Sequence, residues 1–360
     1  MLGLCQSAGM VTLGNVGLDG TKIRANASRH KAMSYGRMVE REPQLAAIVK
    51  EILEEAEQVE AEEDELNGDA RGDELPEHLP RKQGRLEAIR KAKTELEAEA
   101  ADQARERERS KAARAGEDPD DAEVIERCDQ AAAAEAATAQ PKDKAQRNFT
   151  DPASRIMKTS DHAFHQCYNA QAVVDETHQV IVATELTAQA ADVPHLSGLL
   201  DATIINVGTP TRFLADAGYW SETNHQALIG AGVDGYIATG SLKHNEPPQP
   251  APRGPIPKHA TAKQRMPRKL HTKKGQAGYT RRKVIPEPVF GQMKTCQGAG
   301  QLLLRGQQAA AVEWKLHATV HNLRKVFHRF RGSAPGKLRT ALETLGDQLA
   351  RDSSQPAPAA

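Results

Sequence analysis

HQCYNAQAVVDETHQVIVATELT, residues 165–187, holds two β-rich runs, 167–174 and 179–186, separated by Asp-Glu-Thr-His. Branched and aromatic residues on either side of a polar turn predict a β-hairpin. Upstream, VTLGNVGL (11–18) reads as a strand that delivers Asp19 at its end, although Asp-Gly is equally a common turn pair. Downstream, ADVPHLSGLLDATIINVG (191–208) reads as a helix with its apolar residues on one side. TRFLADAGYW (211–220) is a short strand ending in Asp216, with a helix starting near Ser221, and VDGYIATG (233–240) is another strand. Strands alternating with helices in this order predict a mixed α/β domain built on a central sheet.

Between the first strand and the hairpin the composition changes. Residues 36–64, 81–114 and about 121–138 are rich in Ala, Leu, Glu, Lys and Arg, with breaks at NGDARGDELPEHLP (67–80) and GEDPD (116–120). This predicts a charged helical-hairpin insertion over 36–140, with 1–35 as the first strand of the α/β domain and 141–330 as its remainder. Such an insertion suits either an arm that touches DNA or a partner, or a solvated helical excursion. Residues 148–160 read as a polar connector with Asp151, Ser154 and Arg155. The tract 241–283 is rich in Pro and Gly and reads as a long basic loop. Residues 241–294 carry thirteen Lys/Arg against two acids, Glu246 and Glu287, so the tract suits a polyanion. Two helices are expected over 289–330 around LLLRG (302–306), with Trp314, Leu316, Val320, Leu323 and Val326 as core. A short helix over 336–350 and a disordered tail, DSSQPAPAA, follow.

The totals narrow the function. The chain has 360 residues, a formal net charge of zero and only 4% aromatics, so local charge matters more than the sum. The four cysteines lie at least 39 residues apart, which excludes a zinc knuckle and a disulfide scaffold and suits a reducing cytoplasm. There is no run of 18 apolar residues, no signal-peptide leader, no G-x-x-x-x-G-K-[ST] loop and no H-E-x-x-H pair. Membrane insertion and ATP hydrolysis are therefore not expected.

Chemistry concentrates in YTRRKVIPEPVFGQMK, residues 279–294. Glu287 and Lys294 lie seven residues apart, nearly two helical turns, and so share one helix face. Alone, such a pair also suits a solvated surface. With Asp19 and Asp216 following strands it becomes a third carboxylate that folding can gather. Hard oxygen ligands of this kind suit Mg²⁺ or Mn²⁺. Two such ions about 4 Å apart can activate one oxygen and stabilise another in phosphoryl transfer.

LDGTKIRANASRHKAMSY, NFTDPASRIMKT with YNAQAVVDE, FLADAGYW, and EPVFGQMK with LLLRG resemble, in order, the blocks of a bacterial insertion-sequence transposase of the DDE superfamily. The resemblance implies an RNase H-like mixed sheet flanked by helices. It makes Asp19, Asp216 and Glu287 the catalytic, metal-holding acids, with two Mg²⁺ or Mn²⁺ ions expected. Tyr279, Arg282 and Lys294 resemble the family's Tyr–Arg–Glu–Lys motif, whose basic members contact transposon-end DNA; Lys22 joins them as a DNA-binding candidate. It implies cleavage and strand transfer of double-stranded DNA, at transposon ends and target, by a homo-oligomer in the bacterial cytoplasm. The chain departs from the pattern in three ways. One extra residue separates Arg282 from Glu287, which leaves Lys283 as a rival for the arginine's place. Pro286 and Pro288 flank Glu287 and are expected to set it at the very start of its helix, where the carboxylate can be displaced. The first strand begins close to residue 11, whereas relatives carry a long preceding region, so the chain reads as N-terminally truncated. The alternative reading is a non-catalytic DNA-binding remnant.

Overall fold

The computed structural model describes residues 1–67, 79–115, 122–138, 141–240, 254, 256–257, 259–331 and 335–353. The predicted breaks at 67–80 and 116–120, the first part of the basic tract and the terminal tail lie wholly or largely outside the described residues. The chain divides into two compact units, 1–26 with 153–360, and 27–152.

The first unit is organised on a six-stranded sheet. Its strands are β1 (Asn15–Arg24), β4 (Arg155–Lys158), β5 (Phe164–Asp175), β6 (Ile181–Thr187), β7 (Arg212–Ala215) and β8 (Asp234–Ile237). β4 and β6 pair with successive parts of β5, and the sheet then runs β5-β1-β7-β8. β5 is antiparallel to β1 and β6, while β7 and β8 are parallel to β1 and to each other. With helices packed on this mixed sheet, the fold is RNase H-like.

Alternation along β1 sends its residues to two different environments. Val16 and Leu18 share a buried cluster with Val173 and Phe213, their cross-strand neighbours. That cluster takes Leu196, Leu199 and Leu200 from α5 (Leu196–Val207) and Leu228 from α6 (Glu222–Gly230). Leu4 and Cys5 of α1 (Leu2–Ser7) and Ala341 of α11 (Pro335–Ser353) close it. The other face of β1, through Gly17, Asp19 and Thr21, receives α8 (Lys273–Val284) and α9 (Glu287–Cys296). A Cβ on Gly17 would stand 3.0 Å from Pro286 Cδ and 3.1 Å from Ile285, so glycine is what lets the α8–α9 junction lie against the strand.

Four expectations change. β1 does not end at Asp19; it continues to Arg24, because β5 offers an unbroken partner as far as Cys167. The basic tract is not one long loop, since α7 (Ala262–Leu270) and α8 occupy its second half. Each starts at a threonine cap, Thr261 and Thr272, whose hydroxyl accepts a backbone N–H three residues on. The polar connector 148–160 contains β4, and its first residue closes β3. On α10 (Gln307–Phe330), Trp314 and Val326 are core as expected, but Leu316, Val320 and Leu323 are exposed. The five apolar residues lie on different sides of this helix, and only the side of Trp314 and Val326 is buried.

The second unit contains α2 (Tyr35–Asn67), α3 (Leu79–Ala115) and α4 (Ala122–Thr138), with the short strands β2 (Ala32–Ser34) and β3 (Gln146–Asn148) paired antiparallel. Leu45, Val49 and Ile52 of α2 pack with Leu86, Ile89 and Leu96 of α3. The helices are otherwise laced with ion pairs, such as Glu42 with Arg90 and Lys93.

Candidate active site

Pairing between β1 and β7 stops at Gly17 and Leu214. Asp19 and Asp216 each lie two residues beyond that last rung, and residues two apart on a strand share a face. The expectation of strand-end aspartates therefore holds for Asp216 alone; at Asp19 it is the neighbouring strand, not β1, that ends. The gap leaves both carboxylates partly accessible. Asp216 turns the chain into a short 3-10 helix, its Oδ1 accepting the Gly218 N–H at 2.7 Å. Asp19 Oδ1 accepts the N–H of Gly20 at 2.8 Å.

The α8–α9 segment supplies the third acid. Pro286 is the N-cap of α9, and Glu287 is its first residue. Pro286 seats on Gly17, and Glu287 adds the last-named push to the Asp19 carboxyl. Lys294, near the other end of α9, donates to the Thr21 hydroxyl at 2.5 Å. Lys294 thus faces β1 beside Thr21, while Glu287 is exposed at the start of α9.

The electrostatics centre on Asp19. Burial pushes its carboxyl up to about 6; the Gly20 N–H opposes this, Asp216 adds to it, Arg282 opposes it and Glu287 adds to it. Arg282 acts on Asp19, whereas Lys283 is exposed. The Arg282 guanidinium carbon lies 5.6 Å from the ring centroid of Tyr279. Burial, first, pushes the Tyr279 phenol up; Arg282 opposes the rise and Asp216 adds to it. The Arg282 Nε is buried with no hydrogen-bond partner among the described residues. Burial also lowers the Lys294 ammonium. Lys22 is set apart from this group: its Nζ bonds the Ala190 carbonyl at 2.9 Å and lies 3.4 Å from Asp192 Oδ1.

Several residues that share the site were not singled out by sequence. Asp192 Oδ1 accepts from Asn169 Nδ2 at 2.7 Å and Gln171 Nε2 at 2.8 Å. Gln171 also bonds the Tyr219 hydroxyl. Burial raises the Tyr219 phenol, and Asp192, Asp19 and Asp216 add to the rise, so all three acids are near it. A Cβ on Gly20 would stand 2.5 Å from the Gln171 amide, so the Gly after Asp19 makes room for this network. The available signal was YNAQAVV, which places Asn169 and Gln171 on one side of an otherwise apolar strand.

Crowded carboxylates that raise one another's affinity for protons suit a divalent cation, and their hard oxygens suit magnesium or manganese. Among the described residues, however, no three His, Cys, Asp or Glu side chains stand close enough together to enclose an ion. The donor chemistry fits; the closure around a metal is not formed in this conformation.

The sheet is RNase H-like, with Asp19 and Asp216 each two residues past the last rung between β1 and β7. A family model described as Transposase DDE domain matches residues 121–323, more than half of the chain, and the protein belongs to this family. Asp216 and Glu287 lie inside the match, whereas Asp19 lies before it. No curated protein and no solved structure matches the chain. Members of this family are enzymes that act on DNA and generally use divalent metal ions. No helix among the described residues is long and apolar enough to cross a membrane.

Proposed function

We propose that this transposase cleaves DNA at the ends of an insertion sequence and joins the freed end to target DNA, with Asp19, Asp216 and Glu287 as its catalytic acids. The observation that carries the reading is the raised Asp19 carboxyl, which feels both other acids although the three come from separate elements of the fold. Asp19, Asp216 and Glu287 would hold Mg²⁺ or Mn²⁺. When bound, such ions supply activation of an attacking oxygen and charge stabilisation of a leaving one.

The chain's own residues then have definite tasks. Asp19, its carboxyl held up near 6 by burial, must release its proton for the acids to act together. Arg282 holds a positive charge beside Asp19 and keeps the group from excessive repulsion. Lys294, anchored on Thr21, presents a cation for a phosphate next to the reacting one. Neither step requires ATP, and the working form is a homo-oligomer on DNA.

The test is nicking of a labelled transposon-end duplex by the whole chain with Mn²⁺. Parent activity with loss in Asp19→Asn, Asp216→Asn and Glu287→Gln supports the reading. Equal nicking by the parent and all three variants overturns it. One observation favours a second reading, a DNA-binding protein without catalysis: no three acids enclose an ion among the described residues. Salt-sensitive binding with no nicking under any metal would carry that reading.

A further inference from the structure

β1 runs on past the acids into an open groove of about 480 Å³. Its walls come from three places in the first unit: Lys22 and Arg24 at the end of β1, Ser160 and Asp161 in the turn between β4 and β5, and Lys294 with Gln301 at and beyond the end of α9. Three cations thus face one carboxylate, and no aromatic side chain lines the groove. Such a lining suits phosphate contact rather than base stacking, and it lacks the apolar surface of a small-molecule pocket.

The walls are held firmly. Arg24 N–H donates to the Gly300 carbonyl at 3.3 Å, and Leu302 N–H returns a bond to the Arg24 carbonyl at 2.8 Å. Asp161 is oriented by the Thr159 hydroxyl and by the Ala163 N–H at 3.1 Å. So fixed, its Oδ2 takes Arg24 Nη2 at 2.9 Å, with His165 Nε2 at 3.2 Å. Arg24 remains half exposed in this pair. A carboxylate oxygen against a guanidinium occupies the place a phosphate oxygen would take. Lys294 has no ion-pair partner among the described residues, only the Thr21 hydroxyl.

We infer that this groove binds the sugar–phosphate backbone of the DNA strand leading away from the acids, with Arg24 as its phosphate contact and Asp161 as the carboxylate that the phosphate displaces. The inference rests on the reading of the acids as a DNA-cleaving site. Arg24 is five residues past Asp19, about 17 Å at the rise of a strand. A nucleic-acid strand covers that distance in roughly five nucleotides at ~3.4 Å each. Asp161 makes the groove selective: it competes with weak anions for Arg24 and yields to a polyanion held at several points.

Fluorescence anisotropy of the whole chain on a labelled duplex of arbitrary sequence, across a salt series, tests this. Arg24→Ala is expected to weaken binding roughly ten-fold and lower the slope of log affinity against log salt by about 1. Arg24→Lys should keep most of the affinity. Asp161→Asn should tighten binding several-fold, and that gain should vanish when Arg24→Ala is added. Arg339→Ala, on the exposed face of α11, should change nothing. Arg24→Ala binding as the parent does, or Asp161→Asn tightening equally without Arg24, overturns the inference. Circular dichroism melts on each variant separate misfolding from lost contact. Asp19→Asn distinguishes the two proposals: if it still nicks, the catalytic reading falls while the groove is judged on binding alone.

Discussion

Glu42 and Asp19 are both carboxylates among charged neighbours, yet the fold treats them in opposite ways. Glu42, on α2, receives Lys93 Nζ at 3.1 Å and Arg90 Nε at 3.1 Å, and the hydrogen bond from Lys93 leads in holding its carboxyl below the ordinary value. Asp19 is pushed up to about 6 by burial, with two further acids adding to the strain. The insertion spends its charges in exposed pairs; the sheet gathers like charges beside one arginine. Charge density therefore does not locate the site, and uncompensated charge of one sign does.

The largest expected effect separates the two regions by activity. Asp19→Asn and Asp216→Asn should each lower metal-dependent nicking by on the order of a thousand-fold, the scale of losing one electrostatic contributor in an active site. Glu42→Gln should leave nicking unchanged. A gel assay with Mn²⁺ decides it, and a comparable loss in Glu42→Gln would dissolve the contrast.

Stability against pH gives the next effect. Asp19 binds its proton more tightly folded than unfolded, so stability falls as pH rises from about 4 through about 6. Above that window Asp19→Asn should be the more stable protein by up to about 3 kcal/mol, from a rise of about two units at 1.36 kcal/mol each. Below about pH 4 the difference should close. Urea titrations across this range measure it. Glu42 has the opposite sign: its pairs stabilise above the ordinary glutamate range and are lost as pH falls below it.

A packing change comes next. Gly17→Ala sets a methyl 3.0 Å from Pro286 Cδ and should cost about 1–2 kcal/mol by pushing α9 off the strand. Because α9 carries Glu287, nicking should fall further than thermal stability predicts. The smallest effect is Glu42→Gln in urea at neutral pH, about 1 kcal/mol or less, as for a partly exposed ion pair.

The sheet was legible because its strands are rich in branched residues and separated by turns; the hairpin at 165–187 and the strand before Asp216 needed no tertiary information. The helices of the insertion were legible from composition. What stayed hidden depends on pairing between distant segments. That β1 runs through Asp19 depends on the length of β5, whose rungs with Gly20 to Arg24 span 151 to 143 residues of sequence. That Leu316 and Leu323 face solvent depends on which stripe of α10 meets β6. The helices of the basic tract were masked by Pro267, Gly275 and Gly278, although Thr261 and Thr272 carried ordinary capping signals. The residues of the proposed site, Asp19, Asp216, Glu287 and Arg282, were nameable from the sequence. Asp192, Gln171 and Tyr219 were not, because a network of buried polar groups has no spacing rule.

Calorimetric titration of the whole chain with Mn²⁺, at a pH above the titration of Asp19, tests most directly whether the three acids act as one unit. Saturable binding by the parent is predicted, with affinity at least ten-fold weaker in each of Asp19→Asn, Asp216→Asn and Glu287→Gln and unchanged in Glu42→Gln. Unaltered Mn²⁺ affinity in any one of the three site variants would contradict it.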